Sequence, residues 1–314
     1  MAIASRQRSA GFSSGGLTME TVAFYSYKGG VGRTLLVANT AQFLAMSGRR
    51  VVALDLDLEA PGLHHKLGNP DVLSRARSGS LGGVVDLLLD TLSGEPSSRG
   101  VGEEAVALDL PSGTQGSLFL IPAGSAPSHA YWAALERLKN AVRSPGRNGG
   151  LLEAVLELQA RIADEFDPDF LLIDSRTGIT ELGGLATSPL ADRVVCLTTT
   201  APESVEGTRV VAEALRAAPR FASQKPLKVD FLITRVEPGS THSSGVSRVI
   251  QELGGSVGVL PHDSDIAAEE RVWSGSKSRQ DLFSATLSWI AESFPGHKQD
   301  AEAARRRMQS VHRT

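Results

Sequence analysis

A single cysteine, Cys196, in a chain of 314 residues leaves no disulfide framework. That excludes a small cross-linked secreted scaffold and fits a reducing, cytoplasmic compartment. Cys196 lies in the apolar run Val194–Leu197 and is expected on a buried strand. No apolar run approaches the roughly 18 residues of a membrane span. Charge of one sign is also lacking: the formal net charge is −3 and the pI about 6.2. Any contact with nucleic acid would therefore need a local patch rather than a global field. Residues 1–19 are rich in Ser, Gly, Ala and Arg, have no periodicity and no continuous apolar core, and read as a flexible leader rather than a secretory signal. The composition, 41% hydrophobic and 21% charged, is that of a globular chain with ample core material.

The strongest signal is the stretch Phe24–Leu36. An apolar and aromatic run from Val22 to Tyr27 reads as a strand, and Gly29, Gly30 and Gly32 permit a tight turn. From Thr34 the pattern is helical, with Leu36, Thr40, Phe43 and Leu44 on one face and Gly48 as a stop. Strand, glycine loop and helix N-terminus together make an anion site, because backbone N–H groups converge and the helix dipole adds positive potential. Such a loop suits the phosphates of a nucleotide.

The general P-loop pattern places a glycine five residues before Gly32, then Lys and Ser/Thr after it. Here those places hold Tyr27, Arg33 and Thr34, and Lys28 precedes the double glycine. Lys28-Gly29-Gly30-Val31-Gly32-Arg33-Thr34 resembles the deviant Walker A motif of the ParA/MinD family of dimeric ATPases, with Arg33 where the family carries lysine. The resemblance implies that Gly29, Gly30, Val31, Gly32, Arg33, Thr34 and Leu35 bind nucleotide. It also implies that Lys28 reaches the partner's ligand across an ATP-dependent homodimer. A guanidinium is planar and longer than an ammonium and cannot act as a compact point charge between phosphates, so hydrolysis is expected to be slow.

The second strand, Arg50–Asp57, is apolar on both faces and ends in two carboxylates, Asp55 and Asp57. Carboxylates at the carboxyl end of a strand beside a P-loop lie where metal and attacking water sit. An acidic strand end that merely caps a turn is the competing reading. The segment resembles the family's Asp-x-Asp switch I, which implies that Asp57 orients water and Asp55 lies near the metal, with Glu59 at the switch or interface. His64 and His65 follow as solvated loop residues.

Asp169–Asp174 is a short apolar strand ending in a carboxylate, a Walker B arrangement that delivers Asp174 toward Mg²⁺. With it the metal set is Thr34, Asp55, Asp57 and Asp174. Ser175-Arg176-Thr177-Gly178 occupies the switch II place, and Arg176 there suits a phosphate contact, an acidic partner across a dimer, or a structural ion pair. Thr234, Arg235 and Pro261, after two later strands, resemble the family's base-recognition positions; only the resemblance selects adenine.

Elsewhere a capped helix is expected over 80–92, a Gly/Ser/Pro-rich excursion over 93–116, helices at about 128–143 and 151–165, and a breaker between them at 144–150. Tyr131 and Trp132 are core or partner-facing aromatics. Strand–helix alternation over 20–295 predicts a single α/β domain with a doubly wound, mostly parallel sheet. Residues 296–314 form a polar, basic helical tail. That tail lacks the broad apolar face that membrane burial needs. Arg305, Arg306 and Arg307, or Arg216, Arg220, Lys225 and Lys228, are candidates for a patch on nonspecific DNA, against the commoner reading of a solvated helix face. The expected activity is that of an ATP- and Mg²⁺-dependent dimerising switch with slow hydrolysis that governs an unidentified partner or effector. The alternative is a nucleotide clamp with negligible turnover in a signalling or defence system.

Overall fold

A computed structural model describes residues 19–93, 99–143, 150–178, 190–218, 226–263, 280–294 and 298–311. The leader, the 144–149 breaker, Arg220 and Lys225 lie outside them. Eight strands run in chain order as β1 (Glu20–Ser26), β2 (Arg50–Asp55), β3 (Val106–Ala107), β4 (Ser117–Ile121), β5 (Phe170–Asp174), β6 (Arg193–Thr198), β7 (Lys228–Val236) and β8 (Val257–Pro261). Among the described residues they form one sheet in the order β3-β4-β2-β5-β1-β6-β7-β8, in which the β3–β4 pair is antiparallel and the others parallel. This is the doubly wound sheet expected from the alternation. β1 is central, flanked by β5 and β6, so the loop that follows it opens between strand ends where a crevice forms.

Side chains alternate across β1: Val22 and Phe24 face one layer, Ala23 and Tyr25 the other. The Val22 side is covered by α1 (Arg33–Met46), α2 (Leu63–Leu67), α10 (Gln280–Ser293) and α11 (Lys298–Val311). The opposite side is covered by α4 (Val84–Ser93), α6 (His129–Arg143), α7 (Leu151–Phe166), α8 (Pro202–Ala217) and α9 (Ser244–Leu253). Two short helices, α3 (Pro70–Ser78) and α5 (Val101–Glu104), connect them. Cys196 is fully buried on β6, as expected, and burial pushes its thiol up to about 12.

Three local expectations change. The sequence pattern gives α1 one apolar face, yet Val37, Ala38, Ala41 and Ala45 are as buried as Leu36 and Phe43. The reason is that α10 and α11 pack over α1, leaving it without a wet side. The helix expected from Ser80 begins only at Val84, because the N–H groups of Val84 and Val85 are taken by the carbonyls of Pro122 and Ala123 rather than by a serine cap. The basic residues of α11 are largely spent on the protein itself. Ala304 and Met308 are fully buried, Arg307 donates to the carbonyls of Met46 and Gly113, and Arg305 to the Ser288 hydroxyl. Of that trio Arg306 faces outward, 3.9 Å from Glu302, and the Arg216 guanidinium lies 5.6 Å from the Phe231 ring centroid. No helix among the described residues is long and apolar enough to cross a membrane.

Candidate functional site

β1 delivers the chain to a loop, residues 27–32, in which Gly30 and Gly32 adopt φ of 72° and 87°. Gly32 is also the N-cap of α1, and its left-handed backbone turns the chain into the helix. No side chain caps the first turn of α1 and no acidic residue lies in it. A Cβ placed on Gly29, Gly30 or Gly32 would meet nothing within 4 Å, so the space above the loop is open. A triphosphate fits these residues, since uncapped first-turn N–H groups and an uncompensated helix dipole await an anion. The cleft there has a volume of about 480 Å³. It gathers Gly29–Leu35, Asp57, Thr234, Arg235 and Pro261 from four separate stretches of sequence. The Thr234 hydroxyl donates to the carbonyls of Val31 and Thr198, at 2.9 and 3.3 Å, and so fastens the loop to the ends of two strands. Arg235 is exposed with φ of 58°.

The carboxylates are arranged around Arg33, the first residue of α1. Its Nε donates to Asp174 Oδ1 at 2.6 Å, one Nη to Asp57 Oδ2 at 2.6 Å and the other to the Ser26 hydroxyl at 3.2 Å. All three partners and Arg33 itself are buried. Burial lowers the guanidinium's affinity for its proton, but Asp174 and Asp57 more than reverse this, and Arg33 stays charged. Burial raises the Asp57 carboxyl above the usual range even though Arg33 pulls it down.

Asp55 is fully buried and does something different. One oxygen accepts the Asp57 N–H at 3.2 Å, and the other accepts those of Gly62 and Leu63 at 3.2 and 3.0 Å. Burial, then the facing Asp174, push its carboxyl well above the ordinary value, against these N–H donors. Among the described residues no three His, Cys, Asp or Glu side chains are grouped as metal ligands. The donors that fit a magnesium ion are the half-buried Thr34 and the second oxygen of Asp174, which is buried without a hydrogen-bond partner.

Lys28 is exposed, its ammonium 5.8 Å from the Tyr27 ring centroid. Glu59 pairs with Arg176 and, at 3.5 Å, with Lys139 of α6, so the loop after β2 is tied to the loop after β5 within one subunit. Ser175 is anchored to β1 through the Phe24 carbonyl. Tyr131 is buried and donates to the Leu58 carbonyl at 2.6 Å, whereas its neighbour Trp132 is exposed. Ser26, Asn39 and Lys66 also line or touch the cleft, and no motif in the sequence singles them out.

His64 corrects its sequence reading: it lies buried on α2, not in a solvated loop, and neither ring nitrogen has a partner. Burial, with His65 beside it, lowers its pKa from 6.5 to about 4. A depressed folded-state value means that the unfolded chain takes up the proton first. Stability contributed by neutral His64 is therefore complete above about pH 6.5 and lost as pH falls toward 4. Urea unfolding followed across that window should show the loss, and His64→Leu should flatten it.

A family model described as the CobQ/CobB/MinD/ParA nucleotide binding domain matches residues 22–272. The fold is shared with a ParA family ATPase from Chlorobium tepidum TLS, at 18% identity, 92% of this chain, 98% of that chain and a TM-score of 0.55. It is shared as well with cobyrinic acid a,c-diamide synthase from Mycobacterium smegmatis, solved with an ATP analogue and magnesium, at 22% identity, 89% and 97% coverage and a TM-score of 0.57. A curated protein from Rhizobium rhizogenes, provisionally named replication protein A, is 46% identical over 46 residues. That match spans 15% of this chain and only 11% of the relative's length.

Proposed function

Since this chain belongs to the CobQ/CobB/MinD/ParA family of nucleotide-binding domains, we propose that it is an ATP- and Mg²⁺-dependent switch of the ParA/MinD type. In this reading ATP closes a homodimer, hydrolysis is slow, and the dimer engages an unidentified protein partner. The observation that carries it is the uncapped N-terminus of α1 beneath an open glycine loop, at the head of a cleft of about 480 Å³. Loop N–H groups and Arg33 would hold the phosphates, with Thr234, Arg235 and Pro261 at the base end of the same cleft. Magnesium would be held by Thr34 and Asp174, and it would supply neutralisation of phosphate charge. Asp57, facing the cleft, would orient water at the terminal phosphate. Lys28, exposed and without a carboxylate partner among the described residues, suits reach across a dimer axis.

A second reading is favoured by one contact. Because Asp57 is engaged by Arg33 at 2.6 Å, the chain could clamp a dimer around ATP with negligible turnover. Phosphate release and ATP-dependent dimerisation, measured together on the wild type, Lys28→Ala and Asp57→Ala, separate the two. Turnover abolished in both variants is the result expected of a switch. Dimers without turnover above background indicate the clamp, and absence of ATP uptake by calorimetry defeats both.

A further inference from the structure

We propose that Arg33 is a resident cation that masks a divalent-metal site made by Asp57 and Asp174, so the nucleotide-free protein takes up no divalent cation until the guanidinium leaves. This takes Asp174 from the metal assignment above, adds Asp57 as its partner in the nucleotide-free state, and is tested without nucleotide. Asp174 ends β5 and Asp57 lies two residues past the end of the neighbouring β2, and Arg33 divides its donors between them instead of gripping one bidentately. That division uses the width of the guanidinium fork. An ammonium is a point charge and would hold one carboxylate at a time.

Two further observations mark the place as a cation seat rather than an ordinary ion pair. One guanidinium faces two acidic side chains, and the second oxygen of Asp174 is fully buried with no hydrogen-bond partner among the described residues. A buried acceptor left empty in this way is costly unless something else uses it. The surrounding atoms are hard oxygens, with the Ser26 hydroxyl 3.2 Å from Arg33, and suit magnesium or manganese. The guanidinium and a divalent ion cannot share the space, because like charges a few ångströms apart in a buried site repel strongly. Phosphate is the natural lure for the guanidinium, being a bidentate anionic target. Arg33 directly follows the last glycine of the loop, so a phosphate seated there competes with Asp57 and Asp174 for the same side chain. Metal access is thereby coupled to arrival of the anion.

The test uses the full chain, free of nucleotide and stripped with chelator, titrated with Mn²⁺ alone and read by the loss of the free-ion paramagnetic signal. Wild type should leave the signal unchanged at concentrations where Arg33→Gln depletes it, a difference of at least about tenfold in affinity, and Arg33→Gln/Asp174→Asn should lose the gain. Thermal unfolding should move upward with Mn²⁺ for Arg33→Gln only. Arg33→Met, which also removes the charge, serves as the second variant if Arg33→Gln does not fold, with the same gain in Mn²⁺ uptake expected. Uptake of Mn²⁺ by the wild type as tight as by the variant overturns the proposal. So does a folded variant that binds none, or a double variant that still binds. Failure of the wild type to bind ATP would defeat the nucleotide reading and leave this comparison intact.

Discussion

Arg33→Ala is expected to lower the unfolding free energy by about 3–5 kcal/mol at pH 7, the range seen when one partner is removed from a buried ion pair. The effect is large because the substitution strands two carboxylates, one from each of the strands that Arg33 joins, and Asp174 has no exposed surface. The loss should depend on pH. Burial already raises the Asp57 carboxyl, and Arg33 opposes the rise. Without Arg33 the opposition vanishes and the folded-state value climbs further above that of the unfolded chain. A carboxyl raised in this way favours the folded state at low pH and disfavours it as pH rises through the raised value. The penalty of Arg33→Ala should therefore shrink between pH 7 and pH 5. Urea unfolding of wild type, Arg33→Ala and Arg33→Ala/Asp57→Ala, all in chelator, measures it. The double variant should recover part of the loss, because it removes one stranded charge along with its partner. A single-variant loss below about 1 kcal/mol at both pH values would mean that the three side chains are solvated rather than locked.

The parts of this site that were legible in the sequence are those written in contiguous residues. The glycine loop announces itself because backbone conformations such as those of Gly30 and Gly32 are open to few other residues. The strands β2 and β5 are apolar on both faces because both faces are covered, and their acidic ends lie together because parallel strands align their carboxyl ends. What was not legible is the partner of each polar group. Arg33 stands 24 residues from Asp57 and 141 from Asp174, and nothing local tells an arginine after a P-loop to turn inward rather than toward a ligand. His64 looked solvated because it sits in a polar run, but the short helix α2 presents it to the face that α1 closes. The tail looked detached because α11 has few apolar residues. Two of them, Ala304 and Met308, one turn apart, are enough to dock it on α1. Glu59 and Arg176 each read as a switch residue, and their pairing joins the two switch loops in a way that neither motif encodes.

The two carboxylates of the Asp-x-Asp segment, two positions apart on one strand end, should fail in different ways. Asp55→Ala strips the acceptor from three backbone N–H groups, those of Asp57, Gly62 and Leu63. Each buried donor left unpaired costs about 1–3 kcal/mol, so a loss on the order of 4 kcal/mol is expected. The loop from Asp57 to Leu63 carries Glu59 and leads into α2, and those bonds hold its geometry. Asp55→Asn keeps one carbonyl oxygen and turns an amide toward the remaining donors, so roughly half of the loss should persist. Asp57→Asn leaves the same loop bonded through Asp55 and keeps an oxygen for the Ala60 N–H that Asp57 accepts, so its cost should fall mainly on the contact with Arg33. Hydrogen exchange at the amides of Asp57, Gly62 and Leu63 separates the two: accelerated in both Asp55 variants, near wild type in Asp57→Asn. If instead Asp55 served chiefly as a metal ligand, Asp55→Asn would leave stability and exchange unchanged and weaken only the binding of magnesium with nucleotide. The burial of Asp55 and the commitment of both its oxygens to the backbone favour the first outcome, in which it shapes the loop that aims Asp57.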